Sequence, residues 1–260
     1  KKTKQLLKPG KIPINMATGD INGDKIMDLV VTMRFSNIVM LLGKGDGFFS
    51  EPVSMDVKGQ PTGILIGDYN QDGITDIAMA LAGNGRKGVQ VLWGKGEGEF
   101  ESSQVFKAGK QPLSIVSLDS NNDGMIDFVT SSNSLHSLNT VVNKGDKTFD
   151  SLPEFASGNF PKFVVASDFT GDGFQDIAVS NSTDDVISVS LGRGNGTFTY
   201  PPIYHRVDEH PQGMATGDFN GDGLIDIAVS CRDKNLIDIL SKKNMINPKP
   251  NLPQAEPKSS

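Results

Sequence analysis

Polar and apolar positions in this chain alternate in short blocks. Apolar runs of five or six residues, such as Ile38–Leu42, Val89–Trp93, Val186–Leu191 and Leu236–Leu240, are bounded by Gly, Asn and Pro. Shorter runs precede them: Leu29-Val-Val, Ile77-Ala-Met-Ala, Phe128-Val, Ile177-Ala-Val and Ile227-Ala-Val. Such runs are too short and too β-branched for helices, so they predict strands. Their continuous apolar character predicts inner strands covered on both faces. A further strand is visible in Val53–Val57, Gln104–Ala108 and Ile203–Val207. No stretch supports a helix longer than about two turns.

The blocks recur with a fixed period. Asp20, Asp68, Asp119, Asp168 and Asp218 each open a nine-residue polar segment, at spacings of 48, 51, 49 and 50 residues. A proline stands seven residues before each: Pro13, Pro61, Pro112, Pro161 and Pro211. Glycine turns ending in phenylalanine follow the second apolar run at Gly43–Phe49, Gly94–Phe100 and Gly192–Phe198. The third copy has Asn143 for the first glycine, and the fifth copy lacks the turn. Units of about 50 residues with about four strands each match the period of propeller blades. The expected fold is therefore all-β, a five-bladed β-propeller occupying residues 1–246. The Pro-rich residues 247–260 are expected to be a disordered tail or linker.

The first unit is preceded by Gln5-Leu-Leu-Lys-Pro-Gly-Lys-Ile-Pro13, which lines up with Val105-Phe-Lys-Ala-Gly-Lys-Gln-Pro112. The last unit ends near Leu240 without its own final strand. The N-terminal strand is expected to complete that blade, removing an exposed sheet edge. This favours a monomer, with a strand-exchanged dimer as the rival geometry.

The polar segments carry the candidate chemistry. Oxygen-bearing side chains occupy positions one, three, five and nine: Asp20, Asn22, Asp24, Asp28; Asp68, Asn70, Asp72, Asp76; Asp119, Asn121, Asp123, Asp127; Asp168, Thr170, Asp172, Asp176; and Asp218, Asn220, Asp222, Asp226. Position seven offers a backbone carbonyl from Ile26, Ile74, Met125, Phe174 or Leu224. Hard oxygen donors at alternate positions of a tight loop suit Ca2+, and up to five structural ions are expected. The start resembles an EF-hand loop, but position twelve is Val31, Met79, Thr130, Val179 or Val229 rather than Glu, and no flanking helices are predicted. Isolated Asx-turns would explain one copy. They do not require three aspartates in nine residues five times over, an arrangement that is repulsive without a cation. Lys25, where the other loops have glycine, and Thr170, in place of Asn, are expected to weaken the first and fourth sites.

Composition changes the picture in three ways. The formal charge of −6 argues against nucleic-acid binding. Fifteen of the 31 acidic residues lie in the loops, so five divalent ions, ten positive charges, would move the net charge to about +4. No apolar run approaches the length of a membrane span, so no membrane insertion is expected. The sole cysteine, Cys231, reads as a core residue.

The loop Asp218-Phe-Asn-Gly-Asp-Gly-Leu-Ile-Asp-Ile227, the upstream proline and the Gly192–Phe198 turn together resemble the FG-GAP/VCBS repeat family of integrin-α-like propellers. The resemblance runs from about Gln5 to Leu240. It implies a structural calcium ion in each loop and a secreted or surface-attached binding module of adhesion type. Extracellular calcium is about millimolar, which suits weak loop sites and an extracellular, periplasmic or cell-surface location. An unknown protein or glycan is the expected ligand, with a lectin-like propeller as the alternative. A polysaccharide-active enzyme or its accessory domain is the least supported reading. His136, His205 and His210 join no recognisable nucleophile motif, and Trp93 reads as core. Tyr200 and Tyr204, around the fourth Gly-Phe turn, are the candidates for exposed aromatics.

Overall fold

A computed structural model describes residues 12–83 and 87–246. It contains five antiparallel sheets in chain order. The first is β1 (Pro13–Gly19), β2 (Asp28–Met33), β3 (Asn37–Leu41) and β4 (Val53–Asp56). The second is β5 (Gln60–Gly67), β6 (Asp76–Ala82), β7 (Gly88–Gly96) and β8 (Glu99–Phe106). The third holds β9 (Pro112–Leu118), β10 (Asp127–Ser132), β11 (Ser137–Asn143) and β12 (Phe149–Ser151), with β13 (Phe155–Ala156) also paired to β11. The fourth is β14 (Pro161–Ser167), β15 (Asp176–Asn181), β16 (Val186–Ser190) and β17 (Ile203–Arg206). The fifth has three strands, β18 (Pro211–Gly217), β19 (Asp226–Cys231) and β20 (Leu236–Leu240), followed by the short helix α1 (Lys242–Ile246). The expected N-terminal closing strand and the tail from 247 lie outside the described residues.

Each repeat proline opens or enters a first strand, and the register against the second strand shifts there, as at Pro13/Asn15, Pro61/Gly63 and Pro161/Phe163. Proline has no N–H to give the ladder, so an irregularity at that point is the low-cost solution.

Most of the core lies between consecutive sheets, and one cluster, Val31, Met33, Val39 and Leu41, belongs to the first sheet alone. Val30, Ile38 and Met40 of the first sheet pack with Ile64, Ile77 and Met79 of the second. Val89, Val91 and Trp93 of the second meet Ile115, Phe128 and Phe149 of the third. Leu118, Val129 and Leu138 then meet Val164 and Ile177, and Ile187 and Val189 meet Met214 and Ile227. First strands also touch in sequence, β1 with β5, β5 with β9, β9 with β14 and β14 with β18. No comparable contact joins β18 to β1 among the described residues. The five sheets therefore form an arc of blades packed face to face. Strands β6, β10 and β15 are buried along their whole length, and apart from the opening aspartates and Asn181 their residues are small or apolar.

Trp93 is core as expected, stacked on Phe149 at 6.3 Å. Cys231 is likewise buried. The strand expected at Ile203–Val207 is present as β17, and the chain leaves the ladder after Arg206. His205 belongs to β17, pairs with Ile187 and is 8% exposed.

Candidate functional site

Each acidic segment links the first strand of a sheet to the second. Its position-one aspartate organises the bend. Oδ2 of Asp20, Asp68, Asp119, Asp168 and Asp218 accepts the position-six N–H at 2.8–2.9 Å. Oδ1 accepts the position-five N–H at 3.1–3.2 Å. Position five turns back on the chain, with Oδ1 of Asp24, Asp72, Asp123, Asp172 and Asp222 accepting the position-seven N–H at 2.8–2.9 Å. Desolvation opposes these amides and is overcome by them at Asp20 and Asp168, whose carboxyls sit below the usual range. At Asp218 the Gly223 amide leads the same lowering. Backbone donors favour the ionised form, so these bends hold negative charge ready at neutral pH.

Two residues per loop adopt left-handed backbone. Position six has φ of 81, 84, 89 and 78° at Gly73, Gly124, Gly173 and Gly223, and 66° at Lys25. Position four is also left-handed, at Gly23, Gln71, Asn122, Gly171 and Gly221, a requirement the sequence reading missed. Lys25 thus keeps the bend at the cost a Cβ brings to this region, about 1–2 kcal/mol. Lys25→Gly is expected to raise stability by about 1 kcal/mol, read as an upward shift in the calorimetric melting temperature. An unchanged or lower value would contradict the strain.

Position nine behaves differently from the other three. Asp28, Asp76, Asp127, Asp176 and Asp226 are each 0% exposed. One oxygen accepts the position-two N–H, from Ile21, Tyr69, Ser120, Phe169 or Phe219. The other accepts a backbone N–H near the end of the third strand or just past it, from Gly43, Gly94, Asn143, Gly192 or Lys242, at 2.7–3.0 Å. The Ser120 hydroxyl also donates to Asp127. Burial pushes Asp76, Asp127 and Asp176 above the usual carboxyl range. Each of these aspartates clamps the acidic loop to the following turn.

Oxygen-only donors fit a hard cation in kind. Positions one, three and five stand on the exposed bend, while position nine is engaged by two backbone amides. Among the described residues no group of three or more Asp, Glu, His or Cys side chains is gathered as an ion would require. A bound ion would have to share the engaged oxygens. The asparagines brace position five: Asn22, Asn70 and Asn121 donate to Asp24, Asp72 and Asp123 at 2.8–3.0 Å. In the fourth loop Thr170 donates instead to Asp168 at 3.2 Å.

Neighbouring loops are tied together. Gln71 Nε2 donates to the Gly124 carbonyl at 2.8 Å. Asn143 Nδ2 donates to the carbonyls of Tyr69, at 2.8 Å, and Ile126, at 3.2 Å. This accounts for the third copy's departure from glycine, since its amide bridges two sheets. At the equivalent Gly94 an added Cβ would come within 2.3 Å of the Thr75 carbonyl.

No catalytic constellation emerges among the described residues. His136 Nδ1 accepts the Phe160 N–H at 3.1 Å, and His210 Nδ1 lies 2.7 Å from Asp233. Burial lowers the pKa of His205. Tyr200 is 66% exposed, while Tyr204 is half-buried.

The FG-GAP-like repeat model matches residues 20–79, 68–130, 119–179 and 168–229. Each match opens on the first aspartate of one loop and ends three residues past the ninth position of the next. The chain belongs to the FG-GAP-like repeat family. No curated protein matches its sequence. Its fold is similar to that of BBS1N in a crystal structure of its complex with ARL6DN soaked with lead: TM-score 0.60, 11% identity, covering 90% of this chain and 68% of that one. A mercury-soaked crystal of the same complex gives TM-score 0.53 and 12% identity over 86% of this chain and 62% of that one. At this identity the likenesses show the fold alone. No helix among the described residues is long and apolar enough to cross a membrane.

Proposed function

We propose that this FG-GAP chain is a non-catalytic, calcium-stabilised binding module of the extracellular or surface space, with a protein as its ligand. The observation that carries the reading is the fivefold repetition of one loop: a bend of oxygen donors closed by the same backbone hydrogen bonds to its first and fifth aspartates, linking the first strand to the second in every sheet. A scaffold so repeated supplies stability and leaves recognition to the loop surfaces. The propeller-type neighbour was crystallised in complex with ARL6DN, which supports protein recognition by this kind of fold.

Calcium would be held by Asp68, Asn70 and Asp72, Asp119, Asn121 and Asp123, and Asp218, Asn220 and Asp222, with position nine sharing its oxygens. The fourth loop is the weaker candidate. Besides Thr170, it has the Lys242 ammonium beside it, 3.2 Å from the point where a Cβ on Gly171 would sit. A cation there competes with an ion. At millimolar calcium such sites fill, whereas cytosolic calcium would leave them empty, which is the reason for placing the module outside the cytoplasm.

The lectin alternative rests on Tyr200, an exposed aromatic just after the fourth turn. One experiment separates the readings. The tagged chain is presented to a glycan array and to a cell-surface protein extract, in calcium and in chelator, and assayed for turnover on polysaccharides. A saturable protein partner bound only in calcium is the expected result. A saturable glycan signal with no protein partner, or turnover, would replace the proposal.

A further inference from the structure

Two asparagines in this chain open the tripeptide Asn-x-Ser/Thr: Asn181-Ser182-Thr183 and Asn195-Gly196-Thr197. That tripeptide is the acceptor sequence for N-linked sugars, and a sugar needs a surface loop. The fold treats the two in opposite ways. Asn181 ends β15 and is 0% exposed. Its Oδ1 accepts from Ser157 Oγ at 2.8 Å and from the Gly158 N–H at 2.9 Å. Its Nδ2 donates to Ser188 Oγ at 2.9 Å and to the Val179 carbonyl at 3.2 Å. Both amide hydrogens are spent inside the sheet, where a sugar has no room.

Asn195 stands at the tip of the turn between β16 and β17, exposed together with Thr197, while Gly196 between them is buried. The Gly196 N–H donates to the Ser120 carbonyl at 2.9 Å, and its φ is 83°. The tripeptide is thus pinned at its centre to the third acidic loop, with the Asn and Thr side chains outward. Asn195 Oδ1 accepts the Thr197 N–H at 3.1 Å and the Thr197 hydroxyl at 2.7 Å. Its Nδ2 has no partner among the described residues. The first turn shows what the turn itself requires. Asp46 holds the same place there, and its Oδ1 accepts the Phe48 N–H at 3.0 Å. Glu97 and Asp146 follow in the second and third turns. The turn therefore uses the tip oxygen, and the nitrogen of Asn195 is surplus to it.

We propose that Asn195 is an N-glycan acceptor and that Asn181 is not. Nδ2 attacks C1 of the first sugar of an oligosaccharide carried on a polyprenyl diphosphate. The C1–Nδ2 bond forms, the C1–O bond breaks, the diphosphate leaves with the electron pair, and one Nδ2 proton passes to a base of the transferase. Charge that gathers on Oδ1 as this proton leaves meets the two Thr197 donors already aimed at it. Transfer acts on the emerging chain, so a sugar on Asn181 would block the pairing of β15, and folded molecules carry none there. The proposal rests on the reading that places the chain outside the cytoplasm, where such donors are used.

The test gives the full chain a secretory leader and recovers folded protein from the medium of an N-glycosylating eukaryotic cell. Glycans are released with an N-glycan amidase in heavy-oxygen water, and the peptides are read by mass spectrometry. Label is expected at Asn195 in most molecules and at Asn181 in none. Asn195→Asp, which keeps the tip oxygen as Asp46 does, and Thr197→Ala should each lose the glycan completely, while Thr197→Ser retains it. An unlabelled Asn195 in secreted, folded protein would overturn the proposal, as would label at Asn181. Calcium-dependent partner binding is measured on the same material. An unaltered chain that binds its partner without carrying the glycan sinks the acceptor site alone. A chain glycosylated at Asn195 that binds nothing supports the acceptor site and sinks the binding reading alone.

Discussion

Asp176→Ala will remove about 2–5 kcal/mol of stability, and the loss will be the same in calcium and in chelator. The carboxylate is fully buried. Its Oδ1 accepts the Gly192 N–H at 2.8 Å, and its Oδ2 accepts those of Phe169 and Thr170 at 2.9 and 3.1 Å. A buried donor stripped of its acceptor costs ~1–3 kcal/mol, and the methyl group of alanine accepts nothing. At least two such donors are orphaned here, in the middle of a sheet where water has no easy access. At ~2–4 °C per kcal/mol for a chain of this size, the melting temperature should drop by roughly 5–15 °C. Denaturant unfolding with and without EDTA separates this clamp from metal ligation. A loss that appears only when calcium is present would mean that position nine acts chiefly as an ion ligand, and the clamp account would fail.

Chelation of the wild-type chain is expected to have the other large effect. An ion that binds only the folded state stabilises by RT ln(1 + [L]/Kd), about 2.7 kcal/mol per site at 100 times Kd. Two or three filled loops would therefore contribute as much as the clamp or more. Removing calcium should lower the melting temperature by at least several degrees, with the second, third and fifth loops responsible for most of it. The measurement is a calorimetric scan before and after EDTA, with metal removal verified by elemental analysis. An identical melt would defeat the calcium proposal while leaving the sheets and their packing untouched.

The repeat was legible because each unit solves the same packing problem. Five aspartate segments, five prolines and paired apolar runs placed nearly every strand, and the inner strands β6 and β15 are buried on both faces as their continuous apolar runs implied. The bend at position six was readable from glycine, and Lys25 as its exception holds a left-handed φ of 66°. The division of labour among the aspartates was not readable. Asp28 and Asp20 are identical side chains eight residues apart, and only the sheet decides that one is buried against Gly43 while the other faces solvent-side amides. The burial of His205 was not readable for a similar reason. Its strand was expected, but only the sheet decides which face of the strand turns inward, and there His205 sits opposite Ile187. Asn143 looked like a defect in the glycine pattern until the Tyr69 carbonyl gave it a partner 74 residues away.

Among the described residues consecutive sheets meet through a recurring pair of surfaces. Genetic duplication or loss of one whole unit would therefore join surfaces that already fit, leaving no orphaned core behind. Length can drift in steps of about fifty residues while the chemistry of every joint stays constant, so lineages of such chains are free to differ in unit number before they differ in anything else.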